Sequence, residues 1–419
     1  MALHHQNWAG NTSFQAARYH EPTSVTELCE IVKQADKVSV IGSRHCFTDI
    51  ADTTGDLISL GQMPADLVID RQQHTVTVNA GITYRELCPQ LHEAGYALHN
   101  MASLNHITVI GACMSATHGS GDKLGNLATA VSGLEIVTAD GERLTLNRGD
   151  DSFAGAVVSF GALGVVSRVT LDLVPTFGIQ QRVYQSMPVE NLYANFDAVM
   201  GAGYSVSLFP RYQDDVIDSI WVKQQVALGA ESFSPDQDFH GASLVDGHYW
   251  KNPVDRVFTP MGTVGPWHER LPHFNFIDAA KEGNELQSEY FVAREHAVDA
   301  MKKVAELNEG LDPILGVGEI RSVAADDLWL STAHGHDVIA IHFNWHKMGP
   351  EVHGFLPQLE EALAPFEPRT HWGKLSHLSP NDVRTRYPKM TEFQALATTL
   401  DPTGKFRNAF VDRWVFGEA

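Results

Sequence analysis

Three clusters of small residues between positions 42 and 166, each behind a strand-like apolar run, constrain this chain more than any other feature. They are Gly42-Ser43-Arg44-His45, then Gly111 with Ser115-Ala116-Thr117-His118-Gly119-Ser120-Gly121, then Gly161-Ala162-Leu163-Gly164-Val165-Val166. Small side chains let backbone N–H groups approach a pyrophosphate closely, and hydroxyls add donors. A single such cluster is an ordinary turn, because Gly and Ser are default loop residues. Three of them in one stretch favour a large phosphate-bearing cofactor.

The elements around the clusters alternate. Val25, Leu28, Ile31 and Val32 recur at helical spacing behind Ser24 and Glu27, which predicts a capped helix over 24–36, followed by a strand at Val38, Val40 and Ile41. A second capping box, Thr83 with Glu86, opens a helix that Gly95 closes, and short strands are expected over 57–60 and 75–79. Segments 134–139 and 143–147 flank Asp140-Gly141 as a hairpin, and 165–174 alternates like a further strand. After Pro175 the texture changes: most of the Trp residues follow, the stretch 230–248 is irregular, and strands are expected over 316–323 and 338–345. An α+β fold results, with a first domain over 1–175, a second over 176–370 and a tail, 371–419, that packs back on the first.

Other signatures are missing. No G-x-G-x-x-G, G-x-x-x-x-G-K-[ST] or G-x-S-x-G pattern occurs, which removes the usual Rossmann site, P-loop and nucleophile elbow. His268-Glu269-Arg270-Leu271-Pro272-His273 only imitates a zinc-protease motif, since its histidines are five apart and Pro272 interrupts the helix. The scattered Cys29, Cys46, Cys88 and Cys113 suggest neither a metal site nor a disulfide framework. With 30 Lys+Arg against 51 Asp+Glu the net charge is −21, and no basic patch offsets it, so no nucleic-acid or membrane partner is expected. The opening residues lack the regions of an export signal, and no apolar run approaches the ~18 residues of a membrane span, so a soluble cytoplasmic protein is expected.

Two polar pairs stand out in the second domain. On 338–345, Ile339, Ile341, Phe343 and Trp345 share one face, while His342 and Asn344 end the other. Glu319 and Arg321, also two apart, share a side of their strand. Such pairs fit either a solvated ladder or a polar site.

These segments together resemble a known family. The three clusters, Asn100-Met101-Ala102-Ser103-Leu104, the run from Gly265-Pro266-Trp267 to Phe274, Gly318-Glu319-Ile320-Arg321, His371-Trp372-Gly373-Lys374 and Lys405-Phe406-Arg407-Asn408-Ala409-Phe410 look like the vanillyl-alcohol-oxidase (PCMH-type FAD) flavoproteins. Within that family they are similar to the bacterial alditol oxidases. The resemblance implies a two-part FAD-binding domain closed by the C-terminal tail, and a cap domain with a mixed or antiparallel sheet. It implies FAD bonded covalently through His45 to the flavin 8α carbon. Its further FAD contacts fall at Ile41, Gly42, Ser43, Arg44, Cys46, Phe47, Ser103, Thr108, Gly111, Ser115, Ala116, Thr117, His118, Gly164 and Val166. Arg44 stands where a small residue is expected and Cys46 where Ser is, so Arg44 either rearranges the pyrophosphate contacts or points to solvent.

The same resemblance assigns Ser103, Glu319, Arg321, Asn344 and Lys374 to the substrate, with Asn344 in place of an expected Thr. Alcohol oxidation needs hydride loss from carbon and proton loss from oxygen, and a nearby positive group stabilises developing alkoxide charge. Lys374 and Arg321 suit that task, Glu319 can accept hydroxyl hydrogen bonds, and His342 can act as a base or orient the substrate. The expected reaction is oxidation of the C1 hydroxyl of xylitol, sorbitol or a similar alditol to the aldose, with O2 reduced to H2O2, by a monomer that needs no metal. An aldonolactone oxidase or dehydrogenase is the alternative within the superfamily, and a non-catalytic flavin or carbohydrate-binding protein the alternative outside it.

Overall fold

Local chemistry sets the first elements of the computed structural model, which describes residues 6–213, 215–232, 236–245, 261–274 and 283–418. Thr83 closes its capping box in full: its hydroxyl accepts from the Glu86 N–H at 3.3 Å and the Glu86 carboxylate accepts from the Thr83 N–H at 2.9 Å. The helix Val25–Gln34 is capped only halfway. Ser24 Oγ accepts from Glu27 N–H at 3.2 Å, but the Glu27 carboxylate turns to the N–H and hydroxyl of Thr23 instead.

Ahead of residue 175 lie two small sheets. Arg18–His20, Asp56–Ser59 and Val38–Ile41 pair in parallel. Leu67–Asp70, Thr75–Asn79, Val165–Asp172, Val131–Val137 and Arg143–Asn147 form an antiparallel sheet in that order. The hairpin at Asp140-Gly141 has a longer connection than its dipeptide suggests: the Thr138 and Glu142 backbones still bond at 2.9 Å, and Thr138 Oγ1 donates to Asp140 at 2.6 Å. The strand expected over 165–174 breaks at Leu173, and Val174–Pro175 pairs with Tyr96–Ala97.

Among the described residues beyond 175, a ten-stranded antiparallel sheet dominates. Its centre is Leu315–Val323, Val338–His346 and Glu285–Ala293, paired so that Glu319, His342 and Glu289 stand side by side. One face of this centre is apolar: the Phe343 and Trp345 rings stack 5.0 Å apart, and Phe355 of the helix Gly349–Leu363 packs on Trp345. The opposite face carries the polar residues. The stretch 230–248, read as irregular, holds the short hairpin Asp238–Phe239 and Ala242–Leu244, while its residues 233–235 and 246–248 lie outside the described ones.

After Arg369–Thr370, the last strand of this sheet, the chain returns to the N-terminal region. Lys405 Nζ donates to the carbonyls of Val32 and Ala139 at 2.7 Å each, and Asn408 Nδ2 to those of Ile50 and Asp52. A single cluster of buried apolar side chains runs from Leu28 through Leu134 and Ile341 to Val415. Side chains of both sheet systems therefore share this cluster.

Candidate active site

Between the N-terminal elements and the polar face of the large sheet lies a cavity of about 1490 Å³. One wall is the loop after Val38–Ile41. There the backbone N–H groups of Ser43, Arg44 and His45 find no acceptor among the described residues, although all three residues line the cavity. Unpaired donors around a cleft are an anion cradle. Gly42 and Gly111 flank it for a packing reason: a Cβ on either would run into the Thr108 hydroxyl. Arg44 adopts a left-handed backbone, φ 62°, and sends its guanidinium to the Gln6 carbonyl at 3.1 Å, tying the loop to the start of the described chain.

His45 sits under the Trp8 ring, 4.7 Å between centroids, and its Nε2 contacts Nε2 of His106. Burial first, then each other or a nearby arginine, pushes His45 down to about 3 and His106 to about 4, so both rings are neutral. Nδ1 of His45 has no partner among the described residues. Cys46 is less remarkable in charge than in place: burial pushes its thiol up to about 11, and its sulfur packs where a Cβ on Gly373 would have to go.

The remaining sequence-derived contacts are mostly drawn to the same wall. Ile41, Phe47, Ser103, Ser115, Thr117, Gly164 and Val166 line the cavity. Ala116 stands behind it, fully buried, because it makes the left-handed turn (φ 55°) that closes the helix Val109–Met114. His118 reaches further than a cofactor contact. Its Nδ1 lies 2.7 Å from the Gly119 carbonyl and its Nε2 3.2 Å from Glu289, on the opposite wall.

That opposite wall is the polar sheet face, and it is not solvated: Glu319 is 4 % exposed, His342 8 % and Arg321 9 %. The ladder alternative is thereby excluded. Arg321 Nε donates to Glu319 at 2.6 Å and its Nη2 to Ser103 Oγ at 2.6 Å. Lys374 Nζ donates to Glu289 at 2.7 Å and lies 3.0 Å from His342 Nδ1. Burial works against charge on both carboxylates, yet Arg321 and His273 hold Glu319, and Lys374 and His118 hold Glu289, well below the usual carboxylate range. Burial, helped by Lys374, pushes His342 down to about 3. Asn344 lies further along, its amide donating to Glu285 at 2.6 Å.

Over residues 16–147 the chain matches the FAD binding domain family, and over 283–414 the D-arabinono-1,4-lactone oxidase family. It is 41% identical to an alditol oxidase from a Streptomyces species, over 97% of each chain. It belongs to the vanillyl-alcohol-oxidase family of FAD-dependent oxidoreductases. An L-gulono-1,4-lactone dehydrogenase of Mycobacterium tuberculosis is 31% identical across 97% of this chain and 98% of its own. The fold is shared with the crystal structure of cholesterol oxidase from B. sterolicum, at a TM-score of 0.80 and 15% identity over 98% of this chain and 96% of that one.

For an FAD enzyme the two walls divide sensibly. The orphaned N–H groups at 43–45 and the neutral His45 fit a pyrophosphate-bearing flavin, and the sheet face opposite them is ionised. Among the described residues no group of three or more His, Cys, Asp or Glu is placed to hold a metal ion, and no helix is long and apolar enough to cross a membrane.

Four side chains of this site were not singled out from the sequence. Glu289 had a readable signal: Glu285, Gln287 and Glu289 alternate along Glu285–Ala293 with the buried Leu286, Ser288 and Tyr290. His273 was set aside with the false zinc motif, yet its Nε2 lies 2.7 Å from Glu319. His106 and Lys223 gave no local signal, because only tertiary contacts with His45 and His273 give them meaning.

Proposed function

We propose that this enzyme oxidises the C1 hydroxyl of open-chain alditols such as xylitol and sorbitol to the aldose, with O2 as the electron acceptor. The carrying observation is the pair of buried ion pairs, Lys374–Glu289 and Arg321–Glu319, set side by side on one cavity wall. FAD, when bound, would supply the hydride-accepting and O2-reducing chemistry that yields H2O2. His45 would hold it covalently through Nδ1, the ring nitrogen that His106 leaves free, and the Ser43–His45 backbone would receive its phosphates.

The protein groups handle the substrate oxygen. Two of the three Lys374 protons go to Glu289 and His342, which leaves one for the C1 oxygen as it gains negative charge. While Lys374 is charged, His342 accepts at Nδ1 and therefore donates from Nε2. Burial draws the Lys374 ammonium down; once it has released a proton to solvent, His342 carries its single proton on Nδ1 and donates it to the free amine, so Nε2 takes the hydroxyl proton while Nδ1 passes its own to Lys374, restoring the ammonium. Glu319, ionised, accepts from further hydroxyls, and Arg321 and Ser103 fix the chain beside it. Every residue expected at the cofactor or the substrate except Ala116 lines the one cavity, which supports these assignments.

The lactone alternative draws support from the match over 283–414 to the D-arabinono-1,4-lactone oxidase family. Purified FAD-loaded protein assayed in air with xylitol, sorbitol, L-gulono-1,4-lactone and D-arabinono-1,4-lactone decides between them. Aldose and peroxide formation from the polyols is expected. Turnover of a lactone with none of the polyols overturns the alditol reading, and turnover only with an artificial dye overturns the use of O2.

A further inference from the structure

Behind Glu319 lies a lysine that the proposed chemistry does not use. Lys223 points from the strand Val216–Val226 into the interior and is 1 % exposed. A buried ammonium is costly unless its protons all find acceptors. Lys223 finds three on one turn: the carbonyl of Leu271, the carbonyl of Pro272 at 3.4 Å, and Nδ1 of His273 at 3.2 Å.

The turn it braces is the one that enters the cavity. His273 lines the cavity with its ring between Phe209 and Trp221, at 5.8 Å and 4.9 Å, and its backbone N–H donates to the Ser103 carbonyl at 3.2 Å. Its Nε2 meets Glu319 Oε1 at 2.7 Å, with Ser207 Oγ more distant at 3.4 Å. A neutral imidazole donates from one nitrogen and accepts at the other. A charged Lys223 can only donate, so Nδ1 must accept and Nε2 must carry the proton. The ring is then a donor to Glu319.

We infer that Lys223 and His273 are positioning residues: Lys223 fixes the tautomer of His273, which holds Glu319 as an ionised, acceptor-only carboxylate that recognises the hydroxyl donors of a polyol. This rests on the reading that Glu319 binds substrate. The chain runs Lys223, His273, Glu319, Arg321, Ser103, and it starts from a lysine that does not itself line the cavity. Deprotonating Lys223 frees Nδ1 to keep the proton. Nε2 then turns its lone pair on the Glu319 oxygen, and the carboxylate loses its support.

Burial, with Arg321 adding to it against the pull of Glu319, draws the Lys223 ammonium down to about 7. The titratable or charged groups that face it are His273, Glu319 and Arg321; its register neighbours on the flanking strands, Gln181 and Ser205, do not titrate. His273 itself is pushed down to about 4 and stays neutral across this range. The supporting arrangement is therefore complete below neutral pH and is lost as pH rises through it.

The test uses the FAD-loaded enzyme and the pH profile of kcat/KM for xylitol. Wild type should lose activity through an ionisation near neutral pH, chiefly by a rise in KM. Lys223→Met should be reduced about tenfold on the acid side, the loss of a charge-assisted hydrogen bond, and should be flat where wild type falls. Lys223→Arg, which keeps its charge, should move the fall to higher pH. An unchanged neutral limb in folded Lys223→Met overturns the inference.

If Lys223→Met does not fold, a second pair of variants decides. His273→Gln keeps a donor near the Nε2 position and should stay within a few-fold of wild type, whereas His273→Leu should raise KM about tenfold. Equal losses in the two overturn the inference, since a purely structural turn would not distinguish them in KM. Glu319→Gln separates this from the wider reading: unchanged xylitol turnover there removes the substrate role of Glu319 itself, whatever Lys223 does.

Discussion

The two walls of the cavity solve opposite electrostatic problems. On the loop wall, the half-buried His45 and the buried His106 are neutral, and the free donors are backbone N–H groups. On the sheet wall, Lys374, Glu289, Arg321 and Glu319 are buried as ion pairs. A wall of neutral rings and backbone dipoles receives a ligand that brings its own charge. A wall of paired charges receives a neutral ligand and supplies the charge that its reaction develops. The proposed function assigns phosphate-bearing FAD to the first wall and an uncharged polyol to the second.

The sharpest way to break this contrast is at His45. His45→Ala should yield protein whose flavin is released wholly into the supernatant on acid precipitation, while wild type keeps its yellow colour in the pellet. Flavin retained covalently by the variant removes His45 as the linkage. Next in size is Lys374→Met, expected to lower kcat for xylitol about 10² to 10³-fold, as for a lost charge donor in a desolvated site, with flavin content unchanged. Unchanged turnover rejects its role, and lost flavin would show that the walls are not independent.

Stability should separate the walls as well. Glu289 is held well below the usual carboxylate range by Lys374 and His118 despite burial, so its contribution is present above an ordinary carboxyl pKa of about 4.3 and is lost as pH falls toward its folded value. Glu289→Gln leaves a buried ammonium without its anion and should cost about 3 kcal/mol at pH 7, read from denaturant midpoints. Its acid-side loss of stability should be shallower than wild type. A variant equal to wild type at pH 7 would mean that Lys374 gains nothing from the pair.

What the sequence made legible follows from the range of each signal. The clusters at 42–45, 111–121 and 161–166 are local, since glycine and hydroxyl residues declare a turn by themselves, and they meet at one cavity. Period-two alternation placed Glu319 with Arg321 and His342 with Asn344 on faces that the sheet register then brought together. Burial was not legible: the same alternation describes a solvated ladder, and only packing under the loop wall excludes water. Pairings such as His45 with His106, or Lys223 with His273, join residues 61 and 50 positions apart and leave no local pattern. The contact of His273 with Glu319 was illegible for the same reason, because the spacing of His273 from His268 is irrelevant to a partner on another strand.

The smallest expected effect lies where the sheet wall fades. Asn344 is two residues beyond His342 on Val338–His346, roughly 6.6 Å along the strand, so it is removed from the Lys374 charge. Its amide donates to Glu285 Oε2 at 2.6 Å, and Gln287 donates to Oε1 at 2.6 Å, which occupies both oxygens of a carboxylate that lines the cavity. Asn344→Thr shortens the side chain and uncovers one Glu285 oxygen as an acceptor for a distal hydroxyl. A longer polyol gains more from that acceptor than a shorter one. The ratio of kcat/KM for sorbitol over xylitol should rise about two- to fivefold, the scale of one ordinary hydrogen bond, and kcat should be nearly unchanged. An unmoved ratio would place the distal end of the chain away from Asn344, and a large fall in kcat would mean that this end of the wall belongs to the reacting centre after all.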